Sequence, residues 1–241
     1  MTNEKTMKDL PKDEKPYEKC LSFGPQHLTD AELLAVLLRS GVKGMSALEL
    51  SRKLLTASGF RKGLVGLYQL DIDELKKLPG IGEVKAIQIK CLLELSRRIS
   101  KMNFEEKLSF HDPMSIAQYY MEDFRHCQQE QIYLLMLDTK GKLLAEKVIS
   151  KGTVNASLVS PREIFLEALS HHAVSIVLLH NHPSGDPAPS REDLLLTERI
   201  REAGEILGIE LLDHLILGDL KFVSLREQGF FRPCEKNKGV S

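Results

Sequence analysis

His180-Asn181-His182-Pro183-Ser184-Gly185-Asp186-Pro187-Ala188-Pro189-Ser190-Arg191-Glu192-Asp193 is the stretch from which the rest of the chain is read. Residues 174–179 before it are almost wholly apolar and rich in β-branched side chains, the pattern of a short buried strand. Side chains alternate across a strand, so His180 and His182 are expected on one side and Asn181 on the other. The Pro- and Gly-rich segment cannot continue a sheet; it returns the chain to a helix opening at Ser190 and backed by Leu194, Leu195, Leu196 and Ile200. Asp193 then falls in the first helical turn, facing the strand end. Two imidazoles and one carboxylate are the ligand set of a catalytic zinc, which keeps one position open for water. Ser190 and Asp193 also stand at the spacing of a capping box, which needs no metal.

The spacing His180-x-His182, seven residues, Ser190-x-x-Asp193 resembles the JAMM signature of the JAB/MPN metalloprotease fold. The longer form, His-Asn-His-Pro-Ser-Gly-Asp-Pro-x-Pro-Ser-x-x-Asp, resembles the bacterial RadC family in particular, and the likeness runs from about Pro16 to about Arg232. It implies one Zn2+ per chain on His180, His182 and Asp193, a hydrolase acting on an amide or isopeptide bond of a protein or peptide, and a glutamate upstream of the His pair as general base. Three glutamates are candidates. Glu163 is also explained as the closing member of a helix cap, and Glu146 lies in a strand that could turn it to solvent. Glu130 stands just before the first strand, where the resemblance puts the base. The same resemblance gives Ser190 an oxyanion-stabilising role alongside its cap. Asp213 and His214 are weaker candidates for bonds to a ligand His. His171 and His172 read as surface residues at a helix end, and His126 with Cys127 lacks the third group of a nucleophilic set.

The chain has 241 residues, 42% apolar, with a formal net charge of −1. That is enough for two small domains, with no apolar run near the roughly 20 residues that span a bilayer. The mixed-charge N-terminal residues are unlike a signal peptide, so a cytoplasmic location without membrane contact is expected. Cys20, Cys91, Cys127 and Cys234 form no Cys-x-x-Cys pair and are expected as free thiols. The first 107 residues carry 19 Lys+Arg against 15 Asp+Glu and the remainder 14 against 19, an asymmetry that permits nucleic-acid contact by the first half.

Residues 1–15 are polar and expected as a disordered tail. Helices are expected from Thr29-Asp30-Ala31-Glu32, from about Ser46, from Asp71 with Glu74 at the capping-box position, and from Glu83 to about Ile99. Between the last two lies Leu78-Pro79-Gly80-Ile81-Gly82. Glycines tolerant of positive φ and bare amides at a helix start suit a phosphate oxygen. Leu-Pro-Gly-Ile-Gly-x-x-x-Ala resembles a helix-hairpin-helix motif, which implies contact with a DNA backbone through Gly80, Ile81 and Gly82, with Lys85 adding a charge. Arg39-Ser40-Gly41-Val42-Lys43-Gly44 resembles a degenerate first copy.

The organisation expected is an all-α, helix-hairpin-helix-like domain over 16–102, a linker over 103–108 with His111-Asp112-Pro113 as a stop, a JAB/MPN-type α+β or α/β domain over 109–231, and a tail over 232–241. In the second domain a helix is expected over 115–124 and strands over 132–137, 142–150, 174–179, 209–212, 214–217 and 221–224. Two functions fit: a JAMM-type zinc hydrolase, or a nucleic-acid-associated protein with a structural or vestigial metal site, in line with the DNA-repair label the family carries. Neither the substrate nor the oligomeric state can be read from the residues.

Overall fold

The computed structural model describes residues 15–59, 62–105, 108–152 and 159–230, so both expected tails, apart from residue 15, lie outside the described residues, as does Cys234. Its contacts divide the chain into two compact units, 1–98 and 99–241. No described helix is long and apolar enough to cross a membrane.

The first unit is helical: α1 Pro16–Phe23, α2 Asp30–Leu38, α3 Ala47–Leu54, α4 Gly66–Gln69, α5 Ile72–Lys76 and the start of α6 Glu83–Glu105. Three of these helices open on a full capping box, Thr29 with Glu32, Ser46 with Glu49 and Asp71 with Glu74. Each box satisfies amides that the first helical turn leaves without partners. Leu34, Leu38, Leu50, Leu54, Leu67, Leu75, Ile81, Ala86, Ile89 and Leu93 form one core beneath them. α6 runs on through Glu105, so residues 103–105 of the expected linker are helical.

The second unit is a five-stranded mixed sheet between helices. Its elements are α7 Pro113–Phe124, β1 Glu130–Leu137, β2 Leu143–Gly152, α8 Pro161–Ser170, β3 Ser175–Asn181, α9 Arg191–Leu207, β4 Glu210–Leu217 and β5 Phe222–Ser224, and the strand order is β2-β1-β3-β4-β5. Only β3 and β4 run parallel, joined through α9; β1 is antiparallel to both its neighbours. Every residue of β3 is buried, as befits the middle strand of a sheet covered on both faces. On one face Ile132, Leu134, Ile176 and Leu178 pack against Ile164, Phe165 and Ala168 of α8 and Leu196 and Ile200 of α9. On the other, Leu135, Leu137, Val177 and Leu179 pack against Ile116, Ala117, Tyr120 and Phe124 of α7.

Three local expectations are corrected. Pro113 does not stop the chain: it occupies the first turn of α7, where its missing N–H costs nothing, behind an Asp112 cap that accepts from Met114 and Ser115. β4 is a single strand through Asp213, because a register shift opposite Ile176/Val177 absorbs the break in its apolar alternation. Ser160 alone caps α8 by accepting from the Arg162 amide, and exposed Glu163 closes no box.

Candidate metal centre

The sheet's architecture brings distant residues to one edge. β3 ends where β1 begins, so Ile132 stands opposite His180 and Glu130 enters two residues earlier on the same face. His180 is 2% exposed on the face covered by α8 and α9. His182 lies one residue past the strand, tied by its amide to the Leu217 carbonyl at 2.9 Å. The two rings sit 4.9 Å apart, centroid to centroid, and perpendicular.

α9 delivers the carboxylate. Ser190 Oγ accepts from the Asp193 amide at 3.1 Å, and Asp193 Oδ2 accepts from the Ser190 amide at 2.8 Å. The box turns Asp193 inward, 1% exposed, with Oδ1 2.9 Å from His180 Nδ1 and Oδ2 3.4 Å from His182 Nε2. Capping and facing the histidines are therefore the same conformation. The Ser190 hydroxyl is committed further than expected: besides accepting, it donates to Asp193 Oδ2 at 2.6 Å. It thus fixes the carboxylate directly.

These contacts are those of ligands around a cation. The His182 Nδ1 lies 2.9 Å from the Asp186 carbonyl, which can only accept, so Nδ1 carries a proton and Nε2 is the nitrogen turned toward the Asp193 carboxylate. A carboxylate oxygen 3.4 Å from that nitrogen calls for positive charge there, supplied by a proton on Nε2 or by a cation between the two. The bond from the other ring nitrogen to a backbone carbonyl is the usual partner of a metal-binding histidine. Both ring nitrogens of His180 are buried without a hydrogen bond among the described residues, and Nδ1 has Asp193 Oδ1 as its charged neighbour at 2.9 Å. The His180, His182 and Asp193 donors lie within 4.8 Å of one another, and theirs is the only such cluster among the described residues. The donor set therefore fits a metal ion.

The electrostatics agree. The Asp193 hydrogen bond raises the His182 pKa above its ordinary value against the effect of burial. Burial alone would raise the Asp193 pKa, but the two imidazoles and the Ser190 hydroxyl outweigh it and hold the carboxyl far below the usual range. His214, on β4, stacks on His180 with ring centroids 6.1 Å apart and planes 16° from parallel. Complete burial drives its pKa down to about 3, so it is neutral.

Of the three glutamates, Glu130 reaches the site: its Oε2 is 3.9 Å from His180 Nε2 and its side chain is 38% exposed. Glu146 stands opposite Leu135, on the α7 face, and accepts from the Tyr120 hydroxyl at 2.5 Å. Asp213 is also corrected: it bonds neither ligand histidine but accepts from the Ser224 hydroxyl at 2.5 Å and from the His214 and Arg226 amides. His171 and His172 are exposed beyond α8. Cys127 gives its thiol hydrogen to the Asp123 carbonyl, and burial raises its pKa, so it makes no nucleophile. Among the four N-terminal candidates, Ile81 is 3% exposed and belongs to the core. Lys85 Nζ donates to the Ser40 carbonyl at 2.6 Å and the Gly80 carbonyl at 3.3 Å, tying the two hairpin loops together. Gly80 alone has positive φ, +95°, and lies against Val42 and Leu50, whereas Gly82 is exposed with open space around it.

A mixed sheet whose central strand leads into His180 and His182, with a carboxylate in the first turn of the next helix, is the arrangement of a JAB domain. Residues 110–230 match the RadC-like JAB domain, and residues 7–87 match the UPF0758 N-terminal domain. The chain belongs to the RadC family of UPF0758 proteins. It is 48% identical to a UPF0758 protein of Geobacillus sp. strain WCH70 over 93% of this chain and 98% of that one. It is 47% identical to UPF0758 protein YsxA of Bacillus subtilis over 93% and 96%, and 42% identical to a UPF0758 protein of Clostridium botulinum over 95% and 99%.

Proposed function

We propose that the protein is a zinc-dependent hydrolase of amide or isopeptide bonds in a protein or peptide substrate. The observation that carries this reading is the convergence of His180, His182 and Asp193, with neither buried nitrogen of His180 hydrogen-bonded among the described residues and Glu130 beside it. Three protein donors are the ligand count of a catalytic rather than a structural zinc. A zinc ion held there supplies Lewis acidity and makes water acidic enough to react near neutral pH. Glu130 is partly solvated and on the open side of His180, where it takes a proton from water and returns it to the leaving amine. Ser190 holds the Asp193 carboxylate in place. For the helical unit the reading is contact with a nucleic-acid backbone at the start of α6, where Gly82 is exposed.

The test is a peptide library incubated with zinc-loaded wild type, Glu130→Gln and His182→Ala, with new amines counted by terminal labelling. Cleavage by wild type alone, with zinc retained by Glu130→Gln and lost by His182→Ala, is the expected result. Zinc at one per chain with no cleavage of any peptide or isopeptide would favour the non-enzymatic, nucleic-acid-associated protein instead.

A further inference from the structure

Asn181, between the two ligand histidines, is 1% exposed. The β1–β3 ladder ends at the pair Ile132 and His180, and past that point the main chain of β3 pairs only with β4, through Asn181 opposite Leu217 and the His182 amide on the Leu217 carbonyl. The strand thus leans away from β1 where β1 is about to reach Glu130. The Asn181 side chain fills the gap. Its Oδ1 accepts from the Gln131 amide at 2.7 Å and its Nδ2 donates to the Gln129 carbonyl at 3.2 Å. A carboxamide has the donor and acceptor of a peptide group, so it continues the ladder after the backbone has left.

The two bonded backbone groups flank Glu130 on either side, and on its far side Glu130 pairs with Gly152 of β2. We propose that Asn181 is the positioning residue for Glu130: it fixes that residue's backbone against the strand carrying His180, so that proton carrier and ligand set are held as one unit. The proposal rests on the reading of Glu130 given above. Asparagine alone suits the place. Aspartate lacks the donor for Gln129, leucine lacks both functions, and glutamine is a methylene too long for a buried site with both ends bonded.

The test is a double-mutant cycle on zinc affinity, measured by competition with a chromophoric chelator for wild type, Glu130→Gln, Asn181→Ala and the double variant. A carboxylate beside a dication strengthens its binding, so Glu130→Gln should weaken zinc on the order of tenfold. Asn181→Ala should weaken it similarly, and the double variant should be no weaker than either single one. Additive losses, unchanged affinity in Asn181→Ala, or its complete loss of zinc would each overturn the proposal, the last by showing that Asn181 holds the ligands themselves. If Glu130→Gln leaves zinc affinity unchanged, the Glu130 reading fails and the clamp loses its purpose. Should Asn181→Ala not fold, Asn181→Leu takes its place with the same expected non-additivity, since it keeps the shape, removes both bonds and adds no charge.

Discussion

The Thr197 hydroxyl lies 2.7 Å from His214 Nδ1 and 2.7 Å from the Asp193 carbonyl oxygen, so one side chain on α9 joins the buried imidazole of β4 to the helical turn bearing Asp193. The carbonyl takes the hydroxyl hydrogen, and Nδ1–H of His214 donates to the Thr197 hydroxyl oxygen. Thr197→Val keeps the shape and strands that N–H in the core. The expected cost is about 1–3 kcal/mol in urea unfolding. Thr197→Ser should recover most of it; an equally unstable serine variant would assign the loss to packing.

Asp193 has two separable duties. Asn at this position still accepts from the Ser190 amide but is a far poorer metal ligand, so Asp193→Asn should keep the α9 helix and lose stoichiometric zinc. Far-UV circular dichroism with metal analysis of the purified protein checks both. Ser190→Ala, by contrast, removes the cap and should cost about 1 kcal/mol of stability.

Acid should loosen the end of α7 next to the metal loop. Bonding to His126, then to Arg125, outweighs burial and lowers the Glu122 pKa to about 2, and Arg125 also pairs with Asp219, whose amide donates to the Gly185 carbonyl. Because the folded value is depressed, the contribution is fully present above the unfolded pKa near 4.3 and is lost as pH falls through about 2. After screening it should amount to about 1 kcal/mol. The stability gap between wild type and Glu122→Gln should therefore shrink steadily in unfolding experiments from about pH 5 to pH 2. A constant gap would mean that Glu122 is not charged in the way the geometry requires.

The hairpin glycines differ in what they can report. Gly80→Val should unfold the loop, since φ is +95° and Val42 lies 3.1 Å from an added Cβ. At Gly82 an added Cβ meets nothing within 4 Å, so Gly82→Val should lower thermal melting far less than Gly80→Val while weakening salt-sensitive binding to a DNA duplex several-fold in fluorescence anisotropy. Wild type with no such binding would leave the hairpin as a packing device only.

Much of this was legible in the residues because the relevant signals are local. The apolar run before His180, the breakers after it and the Ser190/Asp193 spacing specify strand, turn and helix within twenty positions, and the meeting of His180, His182 and Asp193 follows from that order. What escaped depends on pairing between distant segments. Nothing near Glu146 says that register places it on the α7 face, and nothing near Asn181 says that its partners are Gln129 and Gln131. Lys85 was read as a free charge because its acceptor, the Ser40 carbonyl, lies 45 positions earlier. The start of α7 was placed two residues late, at Ser115, because Pro113 was read as part of a stop rather than as the first helical residue behind the Asp112 cap.

Because β1 is antiparallel to β3, the beginning of one strand and the end of the other share a sheet edge, and the turn at Asp138, Thr139, Lys140 and Gly141 lies at the opposite edge. That turn is closed by its own bonds, the Asp138 amide to the Lys142 carbonyl and the Gly141 amide to the Asp138 carbonyl. The candidate site and this turn are thereby set apart along the strand axis. A peptide tag or a fluorophore spliced into the distal turn sits a full strand length from His180 and Glu130.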